Sequence, residues 1–235
     1  SENPKVYILE VNPRASRTVP FVCKATGEPL AKIAARVMVG QTMKQQGVKV
    51  EVTPKYMCVK EAVFPFTKFL GVDPVLGPEM RSTGEVMGVG ASFGEALYKA
   101  ELGAGDRLPE KGTAFISVRD VDKARAVSVA THLRDQGFNI VATRGTAALL
   151  QHAAIPCRVV NKVSEGRPNV VDMIKNGDVQ LVIATADESR TQISDARQIR
   201  QTALAQLGVV YYTTISGAAA AVEGQKHAKD VEVRS

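Results

Sequence analysis

The stretch TAFISVRDVDKARAVSVATHLRDQGFNIVAT, residues 113–143, decides the fold. TAFISV (113–118) is an apolar run of strand length, Val121–Gln136 is a helical stretch, and FNIVAT (138–143) is a second apolar strand. The same rhythm runs on through a helix over Thr146–Ala154, strand CRVV, a short helix over Val170–Asn176, strand VQLVIAT, a helix over Gln192–Gln206, strand VVYYT and a small helix over GAAAAV. Buried strands alternating with helices predict an α/β fold, a doubly wound parallel sheet covered on both faces.

Upstream the rhythm differs. KVYILEV (Lys5–Val11) reads as a buried strand. PLAKIAARVMVG sets Leu30, Ile33, Ala34, Val37 and Met38 at helical spacing between Pro29 and Gly40, the punctuation of an amphipathic helix. From Gln41 to Gly105 short strands broken by Pro and Gly are expected. Gly84, Gly88 and Gly90 there match neither the Rossmann nor the Walker spacing and read as tight turns. ELGAGDRLPEKG (Glu101–Gly112) reads as a linker, so two domains are expected, 1–105 and 106–235.

Composition narrows the function. Of 235 residues, 45% are apolar and 23% charged, the balance of a globular protein, and no apolar run of membrane-spanning length occurs. The first residues lack the pattern of a secretory signal. Cys23, Cys58 and Cys157 are odd in number and far apart, which argues against a disulfide framework or a CxxC zinc site and for a reducing cytoplasm. His132, His152 and His227 are equally scattered. The net charge of +6 comes from Lys and Arg interleaved with acids, with aromatics at only 5%, so small anions rather than nucleic acid are the expected partners.

In a doubly wound sheet, ligands bind beyond the carboxyl ends of the strands. This sequence places Ser117 and Lys123 after its first such strand, Thr143, Gly145 and Thr146 after the second, and Lys162 and Arg167 after the third. Hydroxyls, amides and ammonium groups all donate to phosphate oxygens, so a phosphate-bearing ligand suits this rim. Helix capping by Thr143 or Thr146, and a solvated Lys162, are the alternatives.

A second constellation stands near the start. EVNPRASRTVPF (Glu10–Phe21) packs a carboxylate, an amide and two guanidiniums after an apolar strand, a set suited to a metal–phosphate group.

VYILEVNPRASRTVPFVCKATGEPLAKIAARVMVG, GVDPVLGPEMRSTGEVMGVG and VNKVSEGRPNVVDMIKNG together resemble the large subunit of carbamoyl-phosphate synthase, from about Val6 to about Gly217. The resemblance is to the tail of that much longer chain. It implies a C-terminal fragment: the end of the second ATP-grasp half, then a regulatory domain similar to methylglyoxal synthase. The full enzyme is a ligase that uses ATP with Mg2+ or Mn2+ to phosphorylate carbamate for arginine and pyrimidine synthesis, beside a glutaminase small subunit. The resemblance implies that Glu10 and Asn12 hold the metal and that the candidate catalytic residues Arg14 and Arg17 clamp phosphate or carbamate oxygens. The fragment alone is expected to be inactive, with a freestanding nucleotide-sensing module as the alternative.

The resemblance also assigns uridine or inosine monophosphate to the rim formed by Ser117, Lys123, Thr143, Thr146 and Lys162. The chain departs from the nucleotide-regulated members at Ala184 and Ala186, which offer no side-chain donors, and Asp187 and Glu188 add negative charge. Weaker, altered or absent binding is the expectation. Ornithine, an activator in some relatives, is implied at Glu61, Tyr211 and Thr213, half of its site. Where methylglyoxal synthase carries its catalytic aspartate, this chain has Arg167, so no lyase activity is expected.

Overall fold

The structure is a computed structural model that describes residues 7, 8, 11, 14, 16–48, 51–64, 81–186, 190–206 and 208–228, with the backbone alone at 190–192. It forms two compact units that divide between Lys55 and Tyr56.

In the first unit, helix α1 (Thr18–Thr26) ends on Gly27 and packs on helix α2 (Leu30–Met38). Gly27 takes φ 76°, a left-handed conformation only glycine adopts without strain, and its N–H donates to Cys23 O. α2 forms where its apolar spacing predicts. Its stripe, however, lies largely open, with Val37 45% and Met38 87% exposed. α1 was not foreseen. The strand expected over Lys5–Val11 falls mostly outside the described residues, and Tyr7, Ile8 and Val11, which are described, are exposed rather than buried.

The second unit opens with an antiparallel pair, β1 (Met57–Val63) and β2 (Gly84–Gly90), with Val59 opposite Gly88. Helix α3 (Phe93–Ala104) lies across one face of it. The sequence expectation of only short strands to Gly105 therefore fails, and the first residues of the supposed linker are the last turn of α3. The missed signal is a capping pair. Ser92 Oγ accepts from Glu95 N at 3.2 Å, and Glu95 Oε2 accepts from Ala91 N at 2.7 Å. Gly84, Gly88 and Gly90 are not turn residues either, since β2 begins at Gly84 and ends at Gly90. They lie in β2, where a Cβ on Gly88 would meet Ala100 N at 2.6 Å and one on Gly90 would meet Ala96 N at 2.7 Å. The helix backbone rests directly on the strand because neither glycine has a side chain.

Then comes a five-stranded, wholly parallel sheet. Its strands are β3 (Thr113–Ser117), β4 (Asn139–Thr143), β5 (Arg158–Val160), β6 (Leu181–Ala184) and β7 (Val210–Tyr212), in the order β5-β4-β3-β6-β7. Helices α4 (Lys123–Asp135), α5 (Arg144–His152) and α8 (Ile215–Gln225) cover one face; α6 (Val170–Lys175) and α7 (Arg190–Ala205) cover the other.

Strand alternation sorts the core. Ile116, Ala142 and Ile183 pack with Val129, Leu133, Leu150 and Val222 on the first face, and Phe115, Val141 and Val182 pack with Val170, Ile174 and Ile199 on the second. Each large side chain buried this way contributes roughly 1.5–3 kcal/mol. The strands run apolar throughout because both of their faces are covered. α3 joins this body by packing on α8, and Ser92 Oγ meets His227 Nε2 at 3.3 Å.

Candidate functional site

The chain lays down β3, β4 and β5 outward in one direction and then returns to place β6 on the other side of β3. At such a reversal the flanking loops part to opposite faces and leave a crevice at the strands' carboxyl ends. Here it is a cleft of about 280 Å³ whose lining includes Ser117, Lys123, Thr143, Thr146 and Lys162. The structure thus brings six of the seven residues read at the strand ends, Gly145 among them, into one cavity and leaves Arg167 out of it.

Their local roles differ. Thr143 is 4% exposed and occupies the N-cap position of α5, yet its hydroxyl makes no capping bond. It lies 3.1 Å from Ser117 Oγ, tying the ends of β3 and β4 together. Thr146, in the first turn of α5, accepts from Val118 N at 3.3 Å and so keeps a proton to donate. Gly145 leaves the helix start open: a Cβ there would find only Lys123 Nζ, at 3.9 Å.

Lys123 begins α4, with its ammonium 2.7 Å from Asp120 Oδ1. Lys162 precedes a 3-10 turn (Val163–Glu165), where its N–H donates to Glu165 Oε2 at 2.9 Å. That turn is fastened to α7, since Ser164 Oγ donates to Asp195 Oδ2 at 2.7 Å. Asp120 feels both lysines: the hydrogen bond from Lys123, with the charge of Lys162 behind it, holds its carboxyl below the ordinary range.

Several participants were not singled out from sequence. Asp120, Asp195, Arg119 and Thr185 also line the cleft. Arg119 is anchored, its Nε donating to Asp122 Oδ2 at 2.7 Å and its backbone N–H to Thr185 Oγ1 at 3.0 Å. The Asp120–Lys123 spacing of three residues was the readable signal for that pair. Among the described lining residues, Arg119, Lys123 and Lys162 face Asp120 and Asp195, a small cationic excess. Phe115, Val118, Ala184, Ala186 and Ile199 supply an apolar wall. The cleft can hold an anionic head among hydroxyls, ammonium groups and a helix N-terminus, with a flat apolar portion beside it. Asp187 and Glu188 lie outside the described residues.

Arg167 is not part of this lining. Its guanidinium donates to both carboxylate oxygens of Asp172, which caps α6 by accepting from Asn169 N at 3.0 Å.

The expected ornithine residues divide differently. Glu61, on β1, has its carboxyl raised by burial and by the charge of Asp106. Its acidic neighbourhood also includes Glu101 of α3, pushed up to about 7 by burial, with the Tyr212 hydrogen bond opposing and Glu61 and Asp106 adding. Tyr212 donates to Glu101 Oε1 at 3.3 Å, whereas Tyr211 sends its hydroxyl to Ala184 O at 3.2 Å and packs on the other face of the sheet. Thr213 follows β7 and is exposed. The tyrosine hydrogen-bonded into this acidic group is thus Tyr212, which sequence reading passed over.

Glu10 and Asn12 lie outside the described residues; Arg14 is exposed and Arg17 stands at the N-cap position of α1. Among the described residues no group of three or more His, Cys, Asp or Glu side chains could hold a metal ion. No helix among them is long and apolar enough to cross a membrane.

Comparison with known proteins gives two family matches. Residues 125–213 match the MGS-like domain, and residues 1–46 match the carbamoyl-phosphate synthase L chain, ATP binding domain. The chain is 64% identical over 228 residues to the carbamoyl phosphate synthase large chain of Ralstonia nicotianae, covering 97% of this chain and 21% of that protein. It is 59% identical over 217 residues to that of Xanthomonas campestris, covering 92% of this chain and 20% of that protein. For the Pasteurella multocida protein the identity is 54% over 230 residues, 98% of this chain and 21% of that one. The chain spans about a fifth of the length of these relatives.

Proposed function

From the homology of this chain, along nearly its whole length, to about a fifth of carbamoyl phosphate synthase large chains, we propose that it forms part of such a ligase and carries its effector-binding domain. On this reading residues 1–105 end the ATP-grasp half that phosphorylates carbamate and 106–235 form the regulatory domain. Glu10 and Asn12 offer a carboxylate and an amide oxygen, hard donors that suit Mg2+ or Mn2+, and Arg14 and Arg17 hold phosphate or carbamate oxygens. Bound metal–ATP would supply the phosphoryl group and offset its charge. The open stripe of α2, with Met38 87% exposed, fits a helix that the rest of the ATP-grasp half covers. A glutaminase small subunit is the implied partner. The isolated chain is expected to make no carbamoyl phosphate from ATP, bicarbonate and ammonia; measurable production would refute the proposal that this chain holds only part of the phosphorylating site.

The single observation that carries the regulatory reading is the convergence of Ser117, Lys123, Thr143, Thr146 and Lys162 on one cleft. It favours a nucleoside monophosphate, phosphate toward the lysines and base on the apolar wall. Calorimetric titration of the chain with inosine and uridine monophosphates is expected to show one site. Lys123→Ala and Lys162→Ala should each weaken it about tenfold, the worth of a charge-assisted hydrogen bond. Unchanged affinity in both variants would refute this placement.

Because every described residue of the cleft's lining falls within Phe115–Ile199, the cleft also supports a second reading, a nucleotide sensor that acts without catalysis. Ornithine remains the proposed ligand of the acidic group near β1, with Glu61 and Thr213 as expected but with Tyr212 in place of Tyr211, whose hydroxyl lies on the other face of the sheet.

A further inference from the structure

We propose that Asp120 is a built-in competitor for the anion of this cleft: it neutralises Lys123 when the cleft is empty, and a bound phosphate must displace it. The proposal rests on the anion-cleft reading above and adds a residue that sets how tightly, and which, anions bind.

Three observations carry it. Asp120 Oδ1 lies 2.7 Å from Lys123 Nζ, where a phosphate oxygen bound by that ammonium would sit. The competing carboxylate is cheap to move: the Asp120 side chain is 89% exposed while that of Lys123 is 31% exposed. The lysine reaches out from the wall, whereas the aspartate stands in solvent on a 3-10 turn (Asp120–Asp122) and gives up no buried packing by swinging away. Its neighbour Asp122, in contrast, is buried and bound to Arg119, so it belongs to the scaffold.

The third observation is the charge balance. Of the three described cations lining the cleft, Arg119 is paired with Asp122 and Lys123 with Asp120, and Asp195 adds another negative charge at the wall. A singly charged anion therefore gains little by replacing Asp120, because it exchanges one monoanion for another. A phosphate monoester near neutral pH carries a charge of about −1.5 to −2 and can engage Lys123 and Lys162 together. Asp120 thus lowers affinity for every anion by the cost of breaking its ion pair, and a dianionic phosphate monoester, which engages both lysines, recovers that cost better than a diester or a carboxylate does.

The test is calorimetric titration of the whole chain with inorganic phosphate, and with dimethyl phosphate as the singly charged probe, at pH 7.5 and low salt. Asp120→Asn keeps the size of the side chain and the backbone bonds of the turn. It is expected to bind phosphate roughly fivefold tighter, the upper range for an exposed ion pair, and to improve dimethyl phosphate binding by no larger a factor. In the Asp120→Asn, Lys123→Ala double variant the gain should vanish. Phosphate binding by the parent chain that is unchanged or weakened in Asp120→Asn would overturn the competitor and leave the anion cleft standing. Binding in neither chain, with both folded by circular dichroism, would overturn the cleft reading and the competitor with it.

Discussion

Replacing Gly88 by valine is expected to destabilise the second unit by about 3 kcal/mol or more, at the upper end of what overpacking costs. The cause is steric. A Cβ at Gly88 would run into the Ala96 carbonyl and approach Ala100 N to 2.6 Å, and both are helix backbone, which cannot turn aside as a side chain can. Ala96 and Ala100 are fully buried where α3 crosses β2, so relief requires the whole helix to rise off the hairpin. Gly84 is the internal control, because a Cβ there meets nothing within 4 Å and Gly84→Ala should change stability by less than about 0.5 kcal/mol. Urea denaturation reads the first effect, and hydrogen exchange of the α3 amides reads the helix's release. If Gly88→Val proved as stable as Gly84→Ala, α3 could not lie against β2 as described.

Glu101→Gln is expected to stabilise the chain at pH 8 by about 2 kcal/mol and to have little effect at pH 5. Burial pushes the Glu101 carboxyl from 4.5 up to about 7, with Glu61 and Asp106 adding to it and the Tyr212 hydroxyl opposing. Because this pKa is higher in the folded chain than in the unfolded one, the stabilisation is complete below about 4.5 and disappears as pH rises through 7. The full shift would be worth about 3 kcal/mol, and partial solvent access reduces it. Burial and the nearby carboxylates also raise the Tyr212 hydroxyl, so it stays protonated and remains the donor throughout. Glutamine accepts the same bond without the charge. Melting curves of both chains between pH 5 and 8 supply the comparison, and parallel curves at a constant offset would rule out proton uptake at Glu101.

The parallel sheet was legible because its strands are buried on both faces and therefore run apolar without interruption, as Phe115–Ile116 and Leu181–Ile183 show. Helix ends were less so: α5 starts at Arg144 rather than Thr146, and α8 extends to Gln225 rather than stopping at Val222. α3 escaped because Gly94 and Gly103 weaken its intrinsic propensity, and its reason for being helical lies in the strand it covers. Ser117, Lys123, Thr143, Gly145, Thr146 and Lys162 meet in one cavity because strand ends in this topology share a rim, whereas Arg167, read as their neighbour, turns to Asp172 instead. Asp120 was not singled out, since a carboxylate beside a lysine looks like any solvated surface pair until the cavity it faces is known, nor was Asp195, whose bond from Ser164 spans 31 residues of sequence. Tyr212 was missed for a similar reason. Adjacent strand residues point to opposite faces, and only the packing of α3 shows which of the two tyrosines meets a carboxylate.

The position of β3 in the middle of the sheet bears on how the chain folds as it is synthesised. β3 is made first of the five strands, and β4 and β5 can join it with α4 and α5 while the rest is still inside the ribosome. Its other edge stays unpaired until Leu181–Ala184 has emerged, a non-local closure of the kind that slows folding and leaves strand edges open to wrong partners. The Ser117–Thr143 bond belongs to the early half, whereas the wall at Ala184, Thr185 and Ile199 belongs to the late one. The cleft is therefore among the last parts of the sheet to be completed. A ligand that fills it binds only chains whose two halves have joined, and so selects finished molecules from nascent ones.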